Sequence, residues 1–470
     1  MQRFTAPLKI LLILLGLSAA VIAPVVWQGN IDLRHAQFSF NQNDFENAAR
    51  DYESAARRIW WRSDLWQQAG LSYESAKDID NALRLFETAR KYDALSAKGW
   101  DLYGTAYWIS GKDEQALEIW MAGLKEYPLD TEFYSRFALA YRNLNNFRAE
   151  QNALEIWLAT GNGTALEHYE LGQLLMTSDP QRALQELLMA SQLDPQFSSV
   201  VQTLKTSLDL AALDPTPARR LIIIGRGLGL TEEWGLASRA FEQAVKIDST
   251  NAEAWAWLGE AQQHKDQDGI LELDKALSLD SGDPVVLALR GLYWKRHGNY
   301  TNSLAEYQKA ALIDPNNPTW QISLGESFTL NGDLVSALNA YQKATMLKPN
   351  DAVYWSLLAM FCADNDVRVS DIGLPAAQKA AELAPADPQV LDALGFSFLK
   401  AGYIYNAEQN LLKSVKIAPG SAQAHLHLAE TYLQKADRTS AFNELKITSQ
   451  LDGSGPIGQL ADQLLKQYYP

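Results

Sequence analysis

Residues Ala97–Pro128 read AKGWDLYGTAYWISGKDEQALEIWMAGLKEYP. Trp100, Tyr103, Gly104 and Tyr107 fall three or four residues apart, so they share one face of a helix. Gly111-Lys112 breaks that helix. Ala116, Trp120 and Gly123 then share the facing side of a second helix, and Pro128 stops the unit. Gly104 sits inside the first helix, where glycine costs about 1 kcal/mol against alanine. That cost is acceptable where a neighbouring helix must come close. The stretch therefore predicts two short antiparallel helices, large side chains on the first and small ones where the two meet.

The pattern repeats. Trp66 to Trp100, Ala82 to Ala116 and Trp100 to Tyr134 are each 34 residues apart. Gly291 to Gly325 and Pro315 to Pro349 keep the same offset of 34. Ile31–Arg57 is a degenerate first unit. Units through Leu171–Pro195, Leu221–Ala244, Trp255–Ala276, Trp355–Pro385, Leu394–Pro419 and Leu428–Leu445 complete about twelve, with a longer inter-helix loop at Asp364–Asp371. Phe197–Leu213 reads as a lone amphipathic helix, ended by Asp214-Pro215-Thr216-Pro217. Ile457–Tyr469, with Leu460, Leu464 and Leu465 on one face, is placed to cap the array.

A 34-residue period of helix–turn–helix units resembles the tetratricopeptide repeat family over about nine-tenths of the chain. The resemblance implies an all-α, right-handed superhelical solenoid whose inner face is lined by first-helix residues. By motif position that face includes Asp101, Thr105, Trp108, Ser135, Leu139 and Arg142. Further along it includes Arg219, Arg226, Glu260, Gln263, Glu326, Thr329, Asp392 and Phe396. This mixed polar and aromatic lining suits an extended peptide or another protein's helix. The Lys and Asn clamp of chaperone-binding relatives is missing from every unit. So are the transferase domain and the cysteine-rich metal ribbon that some relatives carry after their repeats.

Composition narrows the function. Of the 470 residues 47% are hydrophobic, enough to fold, and the formal charge is -15 with a pI near 4.9. That balance argues against nucleic acid as a partner. It reads as solubility, or as an acidic binding surface. Cys362 is the only cysteine, so no intramolecular disulfide or thiolate cluster forms. Arg3 and Lys9 flank the start of a charge-free run, Ile10–Trp27. Counted from Leu8, it makes a helix of about 30 Å, close to a bilayer core. The expectation is a retained membrane anchor through residues 8–27, with the repeats on the extracytoplasmic side. The alternatives are a signal peptide cleaved after Ser18-Ala19-Ala20, or a buried first helix. The cluster Arg57-Arg58-Ile59-Trp60-Trp61-Arg62 either rests against lipid headgroups or covers the hydrophobic end of the array.

No motif carries chemistry. Gly225-Arg226-Gly227-Leu228-Gly229 has neither a preceding strand nor a following Lys-Ser/Thr pair, so helix-packing glycines are the better reading than a nucleotide loop. His425 and His427 are two apart on a helix and point to different faces, so they make no metal pair. The many carboxylates are read as the solvated faces of amphipathic helices. Asn162-Gly163-Thr164 and Asn299-Tyr300-Thr301 match the glycosylation triplet in turns. The expected organisation is an anchor or signal segment at 1–30 and a first repeat block at 31–195. A link at 196–217, a second block at 218–452 and a cap at 453–470 follow. The expected function is a non-catalytic scaffold or adaptor for proteins at a membrane, without metal or cofactor. The alternatives are a secreted or periplasmic accessory to glycan export, for which Trp108 and Phe396 would be exposed aromatics, or a cytoplasm-facing regulator of envelope assembly. No feature fixes an oligomeric state.

Overall fold

The computed structural model describes residues 6–469, with side chains from Ala20 onward. Among the described residues there are 26 α-helices, a 3-10 turn and a π-helical turn, and no strand. The chain divides into two compact units, residues 1–215 with 226–236, and residues 216–225 with 237–470.

In the first unit the helices follow one another as antiparallel pairs. They are α1 (Ala6–Asn41) with α2 (Phe45–Arg58), α3 (Asp64–Ser75) with α4 (Ile79–Lys91), and α5 (Ala97–Ile109) with α6 (Asp113–Glu126). Then come α7 (Glu132–Asn143) with α8 (Phe147–Leu158) and α9 (Ala165–Leu175) with α10 (Pro180–Leu193). The lone helix read at Phe197–Leu213 is α11 (Ser198–Leu213), entered through a 3-10 turn, Pro195–Phe197. It buries Val201, Leu204, Leu208 and Ala211. Helices α12 (Pro217–Leu230) and α13 (Trp234–Ile247) are divided between the two units.

The second unit continues with α14 (Ala252–Gln263) and α15 (Ile270–Leu279), α16 (Pro284–Arg296) and α17 (Tyr300–Ile313), and α18 (Pro318–Leu330) and α19 (Leu334–Leu347). After these come α20 (Ala352–Asp364) and α21 (Leu374–Leu383), α22 (Pro388–Lys400) and α23 (Ile404–Ile417), and α24 (Ala422–Gln434) and α25 (Arg438–Asp452). The helix α26 (Pro456–Tyr468) closes the described chain. The expected long loop near Asp364–Asp371 ends in the π-helical turn, Val369–Gly373, which runs straight into α21.

The glycine at each crossing explains the pairing. A Cβ built on Gly104 would lie 2.1 Å from Nε1 of Trp120, so α6 lays its indole flat where α5 has no side chain. The indole N–H then donates to the Asp101 carbonyl at 3.0 Å. Gly325 repeats the device under Tyr341, whose ring lies 2.7 Å from the same virtual Cβ. Each ring stands 16 residues after its glycine, and each is buried. Ala82, Ala116, Ala337 and Ala407 on second helices have no exposed surface. The helix ends are closed locally. Asp44, Asp78, Asn146, Asn299, Asp333 and Asp437 each cap a second helix with the side-chain oxygen, which satisfies backbone N–H groups that the helix leaves open.

The closing helix differs in one contact from its sequence reading. Leu460 is 40% exposed. Ala461 turns inward instead, and Ile457, Leu464 and Leu465 pack with it against Leu426, Ala429 and Leu445. Gly225 and Gly229 meet the rings of Phe241 and Trp234 respectively, so the glycine-rich stretch serves helix packing. Among the described residues, no helix is long and apolar enough to cross a membrane. The run at residues 8–27, expected to be the anchor, lies for the most part outside the residues whose side chains are described.

Candidate functional site

The fourteen residues expected to line a binding face all lie on first helices of pairs. The packing of α3 with α5, α14 with α16, α20 with α22 and α22 with α24 brings successive first helices side by side. Residues about one repeat apart therefore touch. The structure uses this to pair charges across the joints.

In the first unit Asp101 on α5 accepts from Arg136 Nε on α7 at 2.7 Å and from Lys98 Nζ at 2.7 Å. Burial alone would raise this carboxyl. The hydrogen bonds from Arg136 and Lys98 outweigh it and hold Asp101 below the usual carboxylate range. Thr105 donates to the Asp101 carbonyl at 2.8 Å. Trp108 is half-buried, with its indole N–H enclosed and facing no acceptor. Ser135 donates to the Glu132 carbonyl, and Leu139 is half-buried.

Arg142, on α7, is the centre of the densest cluster. Its guanidinium lies 3.0 Å from Glu170 on α9, 3.0 Å from Glu233 in the turn before α13 and 3.4 Å from Glu150 on α8. It also donates to Gln173 at 2.9 Å. Glu150 is 1% exposed, and its Oε2 has no hydrogen-bond partner. Burial, with Glu170 and Glu233 beside it, outweighs Arg142 and pushes the Glu150 carboxyl up to about 8. Burial also raises Glu170. One cation thus faces three carboxylates, and protonation relieves the surplus negative charge. A lesser case lies at Glu74, on α3. Burial, then the charge of Asp101, pushes it up to about 7.

In the second unit the joints are balanced. Glu260 on α14 is buried and takes both guanidinium nitrogens of Arg296, on α16, at 2.7 and 2.8 Å. Gln263 accepts from the same Arg296 at 3.1 Å. Lys295 reaches Glu326 on α18 at 2.5 Å. Thr329 donates to the Gly325 carbonyl at 2.8 Å. Asp392 on α22 meets Nδ1 of His427, on α24, at 2.8 Å. Phe396 stacks on that imidazole with ring centroids 3.7 Å apart, and Lys400 Nζ lies 4.8 Å from the centroid of the Phe396 ring. Arg219 and Arg226, on α12, are exposed.

Two sequence expectations are corrected here. Phe396 is 3% exposed, so it is a packing ring under His427 and no exposed platform for a sugar. Nor are the carboxylates uniformly a solvated face. Glu150, Glu170, Glu260, Asp101 and Asp392 are all buried, because each finds a cation or an imidazole one helix away. The sequence shows Arg142 but not its partners. Glu150 and Glu233 stand 8 and 91 residues from it, and no periodicity links them. The neighbouring histidines divide as their spacing requires, His427 to Asp392 and His425 to Glu444 at 2.5 Å. A separate hollow of about 570 Å3 opens between α6 and α7, lined by Tyr127, Leu129, Asp130 and Asn162 among others.

Two tetratricopeptide-repeat family models match, over residues 296–361 and 68–131, one in each unit. Yeast Tom70 is similar over 95% of this chain and 95% of its own, at 16% identity and a TM-score of 0.42. In the APC/C hetero-tetramer Cut9-Hcn1 the match covers 96% of this chain and 99% of the other, at 15% identity and a TM-score of 0.46. YrrB, described as a tetratricopeptide-repeat protein with an unusual peptide-binding site, covers 41% of this chain and 97% of its own, at 19% identity and a TM-score of 0.29. No curated protein matches the sequence. The tetratricopeptide-repeat models thus match one stretch in each unit, and the described residues are all-α, built of successive helical pairs.

Proposed function

We propose that this chain is a non-catalytic scaffold or adaptor that holds other proteins, tethered to a membrane by its N-terminal segment with the repeats on the extracytoplasmic side. The observation that carries the reading is the run of two-helix repeats in each unit, interrupted at the lone helix α11. First helices pack side by side at α3 with α5, α14 with α16, α20 with α22 and α22 with α24, so a long partner can be held by many small contacts. The tether is supported by the charge-free run Ile10–Trp27 behind Arg3 and Lys9, and the orientation by that charge asymmetry.

The paired joints refine where a partner would bind. Asp101, Glu260 and Asp392 are committed to internal partners, so they stiffen the array and do not present free charge. Half-buried Trp108, on the same lining face, is the better contact site. A photo-crosslinking residue placed at Trp108 should yield discrete protein adducts in living cells. The same residue at Glu118 on second helix α6, exposed, should yield few. Equal adducts from both faces would overturn the groove. A reporter active only outside the cytoplasm, fused after Pro470, tests the orientation, and an inactive but well-expressed fusion would reverse it.

A further inference from the structure

Where α1 enters the first unit, it brings three exposed tryptophans to one level. Gly29 is buried. A Cβ there would lie 2.7 Å from Ile59, which ends α2, and 2.9 Å from Arg58. Below this crossing α1 belongs to the fold. Asp32 accepts from Ser54 at 2.8 Å and pairs with Arg58. Above it the helix leaves the fold. From Ala20 to Gln28 only Val26 is partly covered. Val21 is 71% exposed and Trp27 is 68% exposed. Trp27 stands two residues from Gly29, about 3 Å along the axis at a rise of ~1.5 Å per residue. Trp60 and Trp61 follow Ile59 directly. They are 72% and 52% exposed and pack edge to face on each other, with centroids 5.4 Å apart.

We infer that Trp27, Trp60 and Trp61 form an interfacial collar that seats the first repeat on the headgroup layer of a lipid bilayer. This deepens the tether reading and rests on it. Three features select lipid over a protein partner. The bare stretch of α1 carries no charge, and it continues a run uncharged from Ile10. The rings gather at the level where that run meets the folded body, and no tryptophan precedes Trp27. An indole suits this level, since its ring is apolar and its N–H remains hydrated. The nearby cations add little pull toward anionic lipid. Arg57 pairs with Glu53 at 2.5 Å, Arg58 with Asp32 and Arg62 with Asp64 at 2.8 Å. The seat therefore depends on the rings and not on lipid charge.

The test uses the full chain carrying one nitroxide at a time, at Trp27→Cys, Trp61→Cys or, far along the chain, Tyr405→Cys. Cys362 is fully buried and burial pushes its thiol up to about 12, so it does not compete for label. The protein is reconstituted into phosphatidylcholine vesicles, with and without phosphatidylglycerol. Labels at 27 and 61 should both lose accessibility to a water-soluble nickel chelate and report the same depth. The label at 405 should stay aqueous, and neither anionic lipid nor salt should change the pattern. A protected label at 27 with an aqueous label at 61 would leave the tether standing and overturn the collar. Failure of the chain to enter vesicles would overturn both. Protection of residue 61 before lipid is added, together with a doubled mass, would assign the rings to a second copy and overturn the lipid seat.

Discussion

Arg142 and Arg296 stand at equivalent places, each near the end of a first helix and reaching a neighbouring first helix, α9 for Arg142 and α14 for Arg296, yet their surroundings differ. Arg296 holds one buried carboxylate with both arms, and Gln263 and His264 complete its contacts. Arg142 is shared among Glu150, Glu170 and Glu233. The first arrangement balances charge. The second leaves a buried surplus of negative charge, so Glu150 holds its proton to about pH 8. A repeat fixes where neighbouring side chains meet, but the local count of charges decides whether that joint is sensitive to pH.

The largest effect should come from removing the shared cation. Arg142→Met leaves three carboxylates without their cation and should cost about 3 kcal/mol of stability at pH 8, read from denaturant unfolding of the first unit. Arg296→Met opens a balanced, more exposed pair and should cost about 1–2 kcal/mol. Equal losses in the two variants would erase the contrast.

The next prediction sharpens the pH difference. A carboxyl whose folded pKa is raised from 4.5 to about 8 stabilises the fold relative to its ionised form only while protonated. Its unfolded counterpart ionises first as pH rises. Stability of the first unit should therefore fall between about pH 4.5 and pH 8, with Glu74 and Glu170 adding to the slope. Asp101, whose pKa is lowered, acts oppositely, and its contribution is lost only as pH falls below the ordinary carboxylate range. Glu150→Gln should leave stability near pH 5 little changed and raise it at pH 9 by more than about 1 kcal/mol. A pH profile identical to that of the parent would remove Glu150 from the account. The smallest effect is expected at Glu326→Gln, whose pair with Lys295 is about 41% and 34% exposed. It should change stability by less than about 1 kcal/mol, and high salt should mask even that.

The repeats were legible because their signal is local and recurrent. Gly104, Trp120 and Ala116 recur in type at fixed spacing, since one helix crossing demands a missing side chain, a ring to fill the gap and a small residue beside it. The lone helix α11 and the helix-packing role of Gly225 and Gly229 could be read for the same reason, through prolines and an absent strand. The state of the carboxylates was not legible. Nothing in the spacing of Glu150 separates it from an ordinary surface glutamate of an amphipathic helix. Phe396 occupies a lining position by motif, but its exposure depends on His427, one repeat later.

Sequence by itself determined the helix–turn–helix period, the positions of the crossings and the caps, because these follow from backbone geometry and side-chain size within about one repeat. Only the tertiary structure decided which charges are buried, which cation serves which carboxylate and which tryptophans face out. Those outcomes depend on groups that meet across neighbouring helices, up to 91 residues apart in the chain, where desolvation and the local charge balance, not periodicity, set the energy.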